Sequence, residues 1–198
     1  MKHLKLTLFI LAASVSGVWA QSVDTVAVWS QSMKKNVKNV VITPANYKTA
    51  KNERFPVVYL LHGAGGNYSN WIKKTPFLPE LASRYGMIIV CPDGNTHSWY
   101  WDSPVDTTSR YETYVSKELR EFIDKTYRTV DSREGRAITG LSMGGQGALF
   151  LAFRHPDLYG ACGSISGGVD IQSFPSSWYM EQKLSLIHIS EPTRPRLI

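Results

Sequence analysis

The sequence has little that would support metal, redox or nucleic-acid chemistry. Only two of its 198 residues are cysteines, and no histidine, cysteine and carboxylate set has the spacing of a metal site. The formal net charge of +6 is not concentrated in a basic run of the kind that binds nucleic acid. Apart from residues 6–18, no hydrophobic run approaches the length of a membrane span. We therefore expect no metal, no cofactor and no nucleic-acid partner.

The first twenty residues have the pattern of a secretory signal peptide. A basic start precedes the apolar run 6–18, and Val18 and Ala20 stand at the two positions that a signal peptidase reads. This predicts cleavage before Gln21, a secreted or periplasmic protein, and no membrane segment after cleavage. A membrane anchor is the alternative, although the run is short for a span.

The end of the chain matches a translated sequencing adapter. The string LSLIHISEPTR (residues 184–194) is one reading frame of the transposase adapter used to prepare sequencing libraries. We therefore expect residues 184–198 to be a foreign tail, and the natural domain to be cut off near Lys183. A genuine basic tail is the alternative. The two end segments carry about half of the net charge of +6, so the high isoelectric point says little about partners.

Hydrophobic periodicity predicts strands that alternate with helices. The predicted strands cover residues 24–32, 36–43, 55–61, 87–91, 136–139 and 161–166, and the helices 79–85, 111–127 and 146–155. Such alternation is typical of a parallel sheet with helices on both faces, here in one domain over residues 21–183. The first two strands have no helix between them and are expected to form an antiparallel edge hairpin. A capping box, Ser109 with Glu112, is predicted to begin the second helix.

Cys91 and Cys162 each lie in a predicted strand. In an exported protein they could pair, but apolar strands also suit buried free thiols. This order of elements does not place the two strands side by side, which favours free thiols.

One pentapeptide, GLSMG (residues 140–144), indicates chemistry. It lies between a predicted strand and a predicted helix, where a G-x-S-x-G sequence forms a sharp turn that exposes a serine hydroxyl. Gly140 and Gly144 are expected because strand and helix pass too close for side chains. The N-terminus of the following helix would favour a developing oxyanion. The alternative is a structural serine in a glycine-rich turn.

A second motif lies upstream of the pentapeptide. The string PVVYLLHG (residues 56–63) is followed by Gly65, Gly66 and Trp71. Over about residues 22–183 the two motifs resemble the esterase D branch of the α/β-hydrolases. That branch includes S-formylglutathione hydrolases, feruloyl and acetyl-xylan-type esterases, and mycolyltransferases. The resemblance implies an α/β fold, a three-layer αβα sandwich with a mostly parallel sheet, truncated here after about the sixth strand.

The resemblance also implies roles for residues. Ser142 would be the nucleophile of a carboxylic ester hydrolase that forms an acyl-enzyme. The backbone N–H groups of Ala64 and Met143 would hold the oxyanion. Gly63 and Trp71 would contact the substrate.

The sequence offers no convincing histidine and acid to activate Ser142. His62 precedes the serine and is expected to be structural, because the triad histidine follows the serine in this family. His155 ends the helix of the serine itself and His188 lies in the adapter. Asp170 follows the last predicted strand, one strand earlier than the usual acid. We therefore expect acid and histidine to be absent from this chain, which should be inactive and fold poorly.

An aromatic loop, residues 92–110, bears on the substrate. Trp99 and Trp101 either wall an acyl or phenolic pocket or pack the loop onto the core. Asp93 and Asp102 do not complete a metal site. Export and this loop favour acylated polysaccharide or feruloyl-type esters, by family analogy. Acyl transfer to sugar hydroxyls and a non-catalytic carbohydrate-binding role are the alternatives.

Overall fold

The computed structural model describes residues 21–169, which form one mixed sheet of six strands covered by helices. The predicted signal peptide and the predicted adapter tail lie outside the described residues. The strands are β1 (Ser22–Ser30), β2 (Lys35–Thr43), β3 (Val57–Leu61), β4 (Ile88–Pro92), β5 (Arg136–Gly140) and β6 (Ala161–Cys162). Within this part of the chain, no helix has the length and apolar character needed to cross a bilayer.

The strand order is β1-β2-β4-β3-β5-β6. The pairs β1–β2 and β2–β4 are antiparallel, whereas β3–β4, β3–β5 and β5–β6 are parallel. The predicted edge hairpin and the predicted parallel centre are therefore confirmed. Leu61 pairs with Gly140 at the ends of β3 and β5. This register makes the segments that follow the two strands leave the sheet side by side.

Helices cover both faces of the sheet. They are α1 (Asn70–Lys74), α2 (Leu78–Arg84), α3 (Tyr111–Thr113), α4 (Arg120–Thr126) and α5 (Met143–Arg154); a π-helical segment, Tyr114–Leu119, joins α3 to α4, and Ala45–Lys48 forms a 3₁₀ turn. Leu60 of β3 packs with Leu78 of α2 on one face. Its neighbour Tyr59 packs with Leu119 and Leu151 on the other. Because alternate residues of a strand point to opposite faces, both faces of β3 are buried, as the continuous apolar run predicts.

The predicted capping box is wrong. Arg110 is the N-cap residue of α3, and its side chain makes no capping hydrogen bond. The carboxylate of Asp102 instead accepts hydrogen bonds in the first turn of α3, from the Thr113 N–H at 3.0 Å and the Thr113 hydroxyl at 2.6 Å. Asp102 and Arg110 also form an isolated β-bridge. A carboxylate nine residues before the helix thus reaches its first turn through a tertiary contact that local sequence does not reveal.

Both cysteines are free thiols, as predicted, but they differ in exposure. Cys91 is 1% exposed, and burial raises its pKa to about 12. Cys162 is exposed on β6, so the expectation of a buried thiol is wrong there. The predicted strand 161–166 is also shorter than expected. It forms only β6 and one further parallel bridge, between Leu141 and Ile165.

Candidate active site

Ser142 lies on a sharp turn between β5 and α5. Its backbone torsions are φ 54° and ψ −117°, a conformation that costs a non-glycine residue about 1–3 kcal/mol. The turn requires glycine on both sides. A Cβ on Gly140 would stand 2.5 Å from the Gly144 carbonyl oxygen, and a Cβ on Gly144 would stand 2.6 Å from the His62 carbonyl oxygen. The structure therefore contains the predicted strained turn, and close approach of the backbone requires its two glycines, as predicted.

Backbone hydrogen bonds hold this turn from outside the pentapeptide. The Ser142 N–H donates to the Ile165 carbonyl at 2.8 Å, and the Ile165 N–H donates to the Gly140 carbonyl at 3.0 Å. The side-chain hydroxyl of Ser142 is half-buried and makes no hydrogen bond within residues 21–169. The role of Ile165 was not predicted, because its two backbone hydrogen bonds leave no recognisable motif in the sequence.

The segment after β3 forms a tight loop beside Ser142. The Gly66 N–H donates to the Gly63 carbonyl at 3.1 Å, and the Gly65 N–H donates to the Thr96 carbonyl at 2.8 Å. Within the described part of the chain, no hydrogen bond is donated by the backbone N–H of Ala64 or of Met143. These two groups, predicted as oxyanion donors, are therefore free to bind a ligand oxygen.

His62 is fixed in a structural role by its neighbours. Its Nε2 accepts a hydrogen bond from the Gly94 N–H at 2.9 Å, so its Nδ1, 2.8 Å from the Gly63 carbonyl oxygen, carries the proton. The residue is 2% exposed. Burial lowers the pKa of His62, against smaller opposing effects of the Gly63 carbonyl and Asp93. A neutral imidazole thus connects the segment after β3 to the segment after β4.

A cavity of about 410 Å³ lies directly beside Ser142. Its lining comprises His62, Gly63, Ala64, Asn70, Trp71, Lys74, Thr75, Leu141 and Ser142. Gly63 and Trp71 are thus placed where sequence reasoning expected substrate contacts. The Trp71 indole N–H donates to the Leu61 carbonyl at 3.0 Å, which holds its ring against the end of β3. Asn70, Lys74 and Thr75 were not predicted, because α1 has no motif of its own.

Trp99 and Trp101 do not line this cavity. Trp99 is 1% exposed and belongs to the core on the α5 side. Trp101 is partly buried, with its ring 5.5 Å from that of Phe150. The pocket-wall alternative is therefore wrong for Trp99, and the packing alternative describes both residues. Both tryptophan rings therefore bury apolar area against the rest of the protein and do not form a wall of the cavity.

The other histidine weighed as a base lies at the wrong end of α5. His155 follows the last residue of α5, and its Nε2 is 3.0 Å from the Glu112 carboxylate, which also binds Arg154. The prediction that His155 terminates the helix is confirmed. His188 and Asp170 lie outside the described residues. Among residues 21–169, no group of three or more His, Cys, Asp or Glu side chains could hold a metal ion.

Comparison with known proteins decides the family. A sequence profile of the Esterase family, described as "Putative esterase", matches residues 30–192. The chain belongs to this family. The match continues past residue 184 into the segment attributed above to an adapter, and that attribution stays a prediction.

Two curated relatives share about a third of aligned residues with this esterase-family chain. An endo-1,4-beta-xylanase/feruloyl esterase of Xylanibacter ruminicola is 32% identical over 157 residues, covering 74% of this chain and 22% of that protein. The MPT51 antigen of Mycobacterium leprae is 30% identical over 178 residues, covering 84% of this chain and 56% of that protein. The chain thus spans about a fifth and about half of these relatives' lengths.

Solved structures agree with the fold. An S-formylglutathione hydrolase from Agrobacterium tumefaciens superposes with a TM-score of 0.75 at 24% identity, covering 87% of this chain and 68% of that chain. The predicted α/β-hydrolase architecture is therefore confirmed over the described residues.

Proposed function

We propose that the natural protein is a secreted serine carboxylic ester hydrolase and that Ser142 is its nucleophile. The observation that carries this proposal is the strained Ser142 turn. It presents an unbonded hydroxyl to a cavity that the Ala64 segment also lines. The unpaired N–H groups of Ala64 and Met143 support it. Family membership gives the same reaction class independently.

The chemistry follows from these groups. The Ser142 hydroxyl oxygen attacks the ester carbonyl carbon, and the carbonyl oxygen becomes an oxyanion that the N–H groups of Ala64 and Met143 stabilise. The alcohol leaves, the acyl group remains on Ser142, and water then releases the acid. Both steps need a base that takes the proton from the hydroxyl and later from water. His62 cannot serve, because both of its ring nitrogens are engaged by the backbone.

The base and its carboxylate are proposed to follow residue 183 in the natural protein. The test compares the printed chain with the same chain extended by its natural coding sequence past Lys183. Loss of a triad base costs on the order of 10⁴-fold or more in kcat, so the printed chain should hydrolyse p-nitrophenyl acetate at least that much more slowly. Efficient turnover by the printed chain would contradict the truncation.

Covalent labelling tests the nucleophile itself. A fluorophosphonate should modify the extended chain at Ser142, as read by peptide mass spectrometry. Ser142→Ala should abolish the modification, whereas Ser164→Ala, an exposed serine near the same turn, should not. Absence of labelling in the extended chain would favour the non-catalytic, carbohydrate-binding alternative.

Feruloyl-type or acylated-polysaccharide esters are the proposed substrates. The support is the relative whose name includes feruloyl esterase, at 32% identity. Methyl ferulate should therefore be hydrolysed by the extended chain. Similarity to the MPT51 antigen keeps acyl transfer to a sugar hydroxyl as the second candidate. Formation of an acylated sugar in the presence of a sugar acceptor would favour transfer, and hydrolysis alone would exclude it.

A further inference from the structure

An uncompensated positive charge stands at the cavity beside Ser142. Lys74 ends α1, and it lines this cavity together with the amide of Asn70 and the hydroxyl of Thr75. Within residues 21–169 its Nζ has no ion-pair or hydrogen-bond partner. None of the described residues that line the cavity carries a carboxylate. A substrate seated here therefore meets a cation and neutral hydrogen-bonding groups.

A second cavity lies at the same edge of the sheet. It has a volume of about 380 Å³ and is lined by Lys35, Asn36, Val37, Lys38, Asp93, Asn95 and Tyr111. Asn39 of β2 pairs with Pro92 of β4, so the start of β2 lies beside the end of β4. That is the edge at which β3 and β5 also end, so both cavities open along one border of the sheet.

The second cavity also carries more positive than negative charge. The Lys35 Nζ donates to the Thr108 carbonyl at 2.7 Å and lies 5.2 Å from the centre of the Tyr111 ring. Within residues 21–169, the Lys38 Nζ has a single contact, with the Tyr68 ring, whose centre is 5.8 Å away. Among the described lining residues Asp93 is the one carboxylate, and its Oδ1 already accepts the Asn95 N–H at 2.8 Å. The described lining therefore holds two ammonium groups and one carboxylate.

Tyr68 connects the two cavities. It contacts Lys38 of the second cavity, and it packs in the same apolar cluster as Trp71 of the first. The lysines along this border are accompanied by amide and hydroxyl side chains rather than by a row of exposed aromatic rings. Such linings suit a ligand with many hydroxyl groups and spaced negative charges, and they lack the stacking platform that single-stranded nucleic acid uses.

We propose that this border binds an acidic saccharide chain that carries the ester. One sugar carboxylate would lie at Lys74 while the ester carbonyl lies at Ser142, and a further carboxylate would lie at Lys38. The ester placement rests on the proposed function, whereas the binding of the saccharide does not. Lysine at the last turn of α1 also complements the helix dipole, but Lys73 does this equally without lining the cavity.

The test is binding of trigalacturonate and of the matching neutral galactose trimer to the chain extended by its natural coding sequence past Lys183, because the shorter chain is expected to fold poorly. Calorimetry gives the affinity, and the Trp71 indole N–H signal in ¹H–¹⁵N spectra gives the location. The acidic trimer should bind more tightly. Lys74→Gln and Lys38→Gln should each weaken it about two- to five-fold at low salt, the size expected for one partly exposed ion pair. Both effects should shrink as salt rises, because the screening length falls from about 30 Å at 0.01 M to about 8 Å at 0.15 M.

Lys73→Gln is the matched control, since it removes the same charge from the same helix outside the cavity. It should leave the affinity within error of the wild type. Equal weakening by Lys73→Gln and Lys74→Gln, equal affinity for both trimers, or no binding of the acidic trimer would each overturn the proposal. Monogalacturonate that binds in the first cavity should shift the Trp71 signal. Lys38→Gln should leave its affinity unchanged, because Lys38 lies at the second cavity. A weaker affinity would show that the two-cavity arrangement is wrong.

Ser142→Ala separates this inference from the proposed function. Binding of the acidic trimer by this variant should keep its dependence on Lys74 and Lys38, because no lysine contact is changed. Lysine-dependent binding in a protein whose Ser142 is never acylated would remove the esterase proposal and leave the saccharide site standing. Acylation of Ser142 without lysine-dependent binding would overturn the saccharide site and leave the esterase proposal standing.

Discussion

Residues 62–66 and residues 93–102 leave the ends of neighbouring strands, yet different interactions hold them. The first segment is fixed by backbone hydrogen bonds and by the neutral ring of His62. The second is fixed by burial of side chains, with Trp99 at 1% and Tyr100 at 0% exposure. A substitution that adds an atom should therefore lower the stability of the turns around Ser142, which backbone contacts hold. A substitution that removes atoms should lower the stability of the aromatic loop, which buried side chains hold.

The largest expected effect is the loss of the Trp99 side chain. Trp99→Ala should cost about 3–5 kcal/mol in the free energy of unfolding or abolish cooperative unfolding, because it empties a fully buried site. Urea denaturation followed by circular dichroism measures it. Phe77→Ala, at a residue 52% exposed, should cost less than about 1 kcal/mol. Similar losses for both variants would show that the loop is not held by burial.

The second effect comes from adding one methyl group close to Ser142. Gly144→Ala should cost about 3 kcal/mol, because its Cβ would press on the Leu61 and His62 carbonyl oxygens, which the sheet holds in place. Gly65→Ala is the control: its φ of 73° is unfavourable for alanine, whereas Gly144 lies in α5 without a positive φ, but nothing lies within 4 Å of the Cβ added at Gly65. It should cost only about 1–2 kcal/mol. A cost at Gly144 no larger than at Gly65 would contradict close approach as the reason for glycine at residue 144.

The third effect is a pH dependence from His62. Burial lowers its pKa in the folded state, so the unfolded chain binds the proton more readily. Stability from this residue is therefore complete above the unfolded pKa of about 6.5 and is lost as pH falls below it, by at most about 1.4 kcal/mol per pH unit. His62→Gln should flatten the urea-midpoint profile in that range. An unchanged slope would show that His62 is not buried as a neutral ring.

The smallest effect concerns the start of α3. Asp102→Ala should cost about 1 kcal/mol, the usual loss for a helix cap, because the Thr113 N–H and hydroxyl lose their acceptor. Ser109→Ala, which removes the predicted cap, should change the unfolding free energy by less than about 0.5 kcal/mol. The opposite ranking in thermal unfolding would restore the capping box.

Local backbone requirements explain what could be predicted from the sequence. Gly140, Ser142 and Gly144 follow from the geometry of one turn, and the apolar run of β3 follows from burial on both faces. These features have a recognisable local sequence pattern, although the close approach at Gly144 is to the Leu61 and His62 carbonyl groups. The fold class and the turn at Ser142 were accordingly predictable, and the oxyanion role of the segment after β3 stays a proposal.

Tertiary contacts explain what could not be predicted. The role of Asp102 at α3 depends on the path of a loop, and the burial of Trp99 depends on the α5 layer. Lys74 reaches the cavity only because α1 lies across the end of β3. The π-helical segment Tyr114–Leu119 has the same apolar spacing as an ordinary helix. Each of these arises from the packing of segments far apart in the chain.

The hydrogen bond between the Ser142 amide and the Ile165 carbonyl makes hydrogen exchange at Ser142 sensitive to opening of the sheet. Both the Ser142 and the Ile165 amides are hydrogen-bonded across the junction of β5 and the segment after β6. The rate at which the Ser142 amide exchanges with solvent deuterium therefore measures how often that junction opens. An exchange rate equal to that of global unfolding would mean that the serine keeps its strained torsion for as long as the domain is folded. Faster exchange would mean that opening of the sheet beside β6 limits how long Ser142 keeps this torsion.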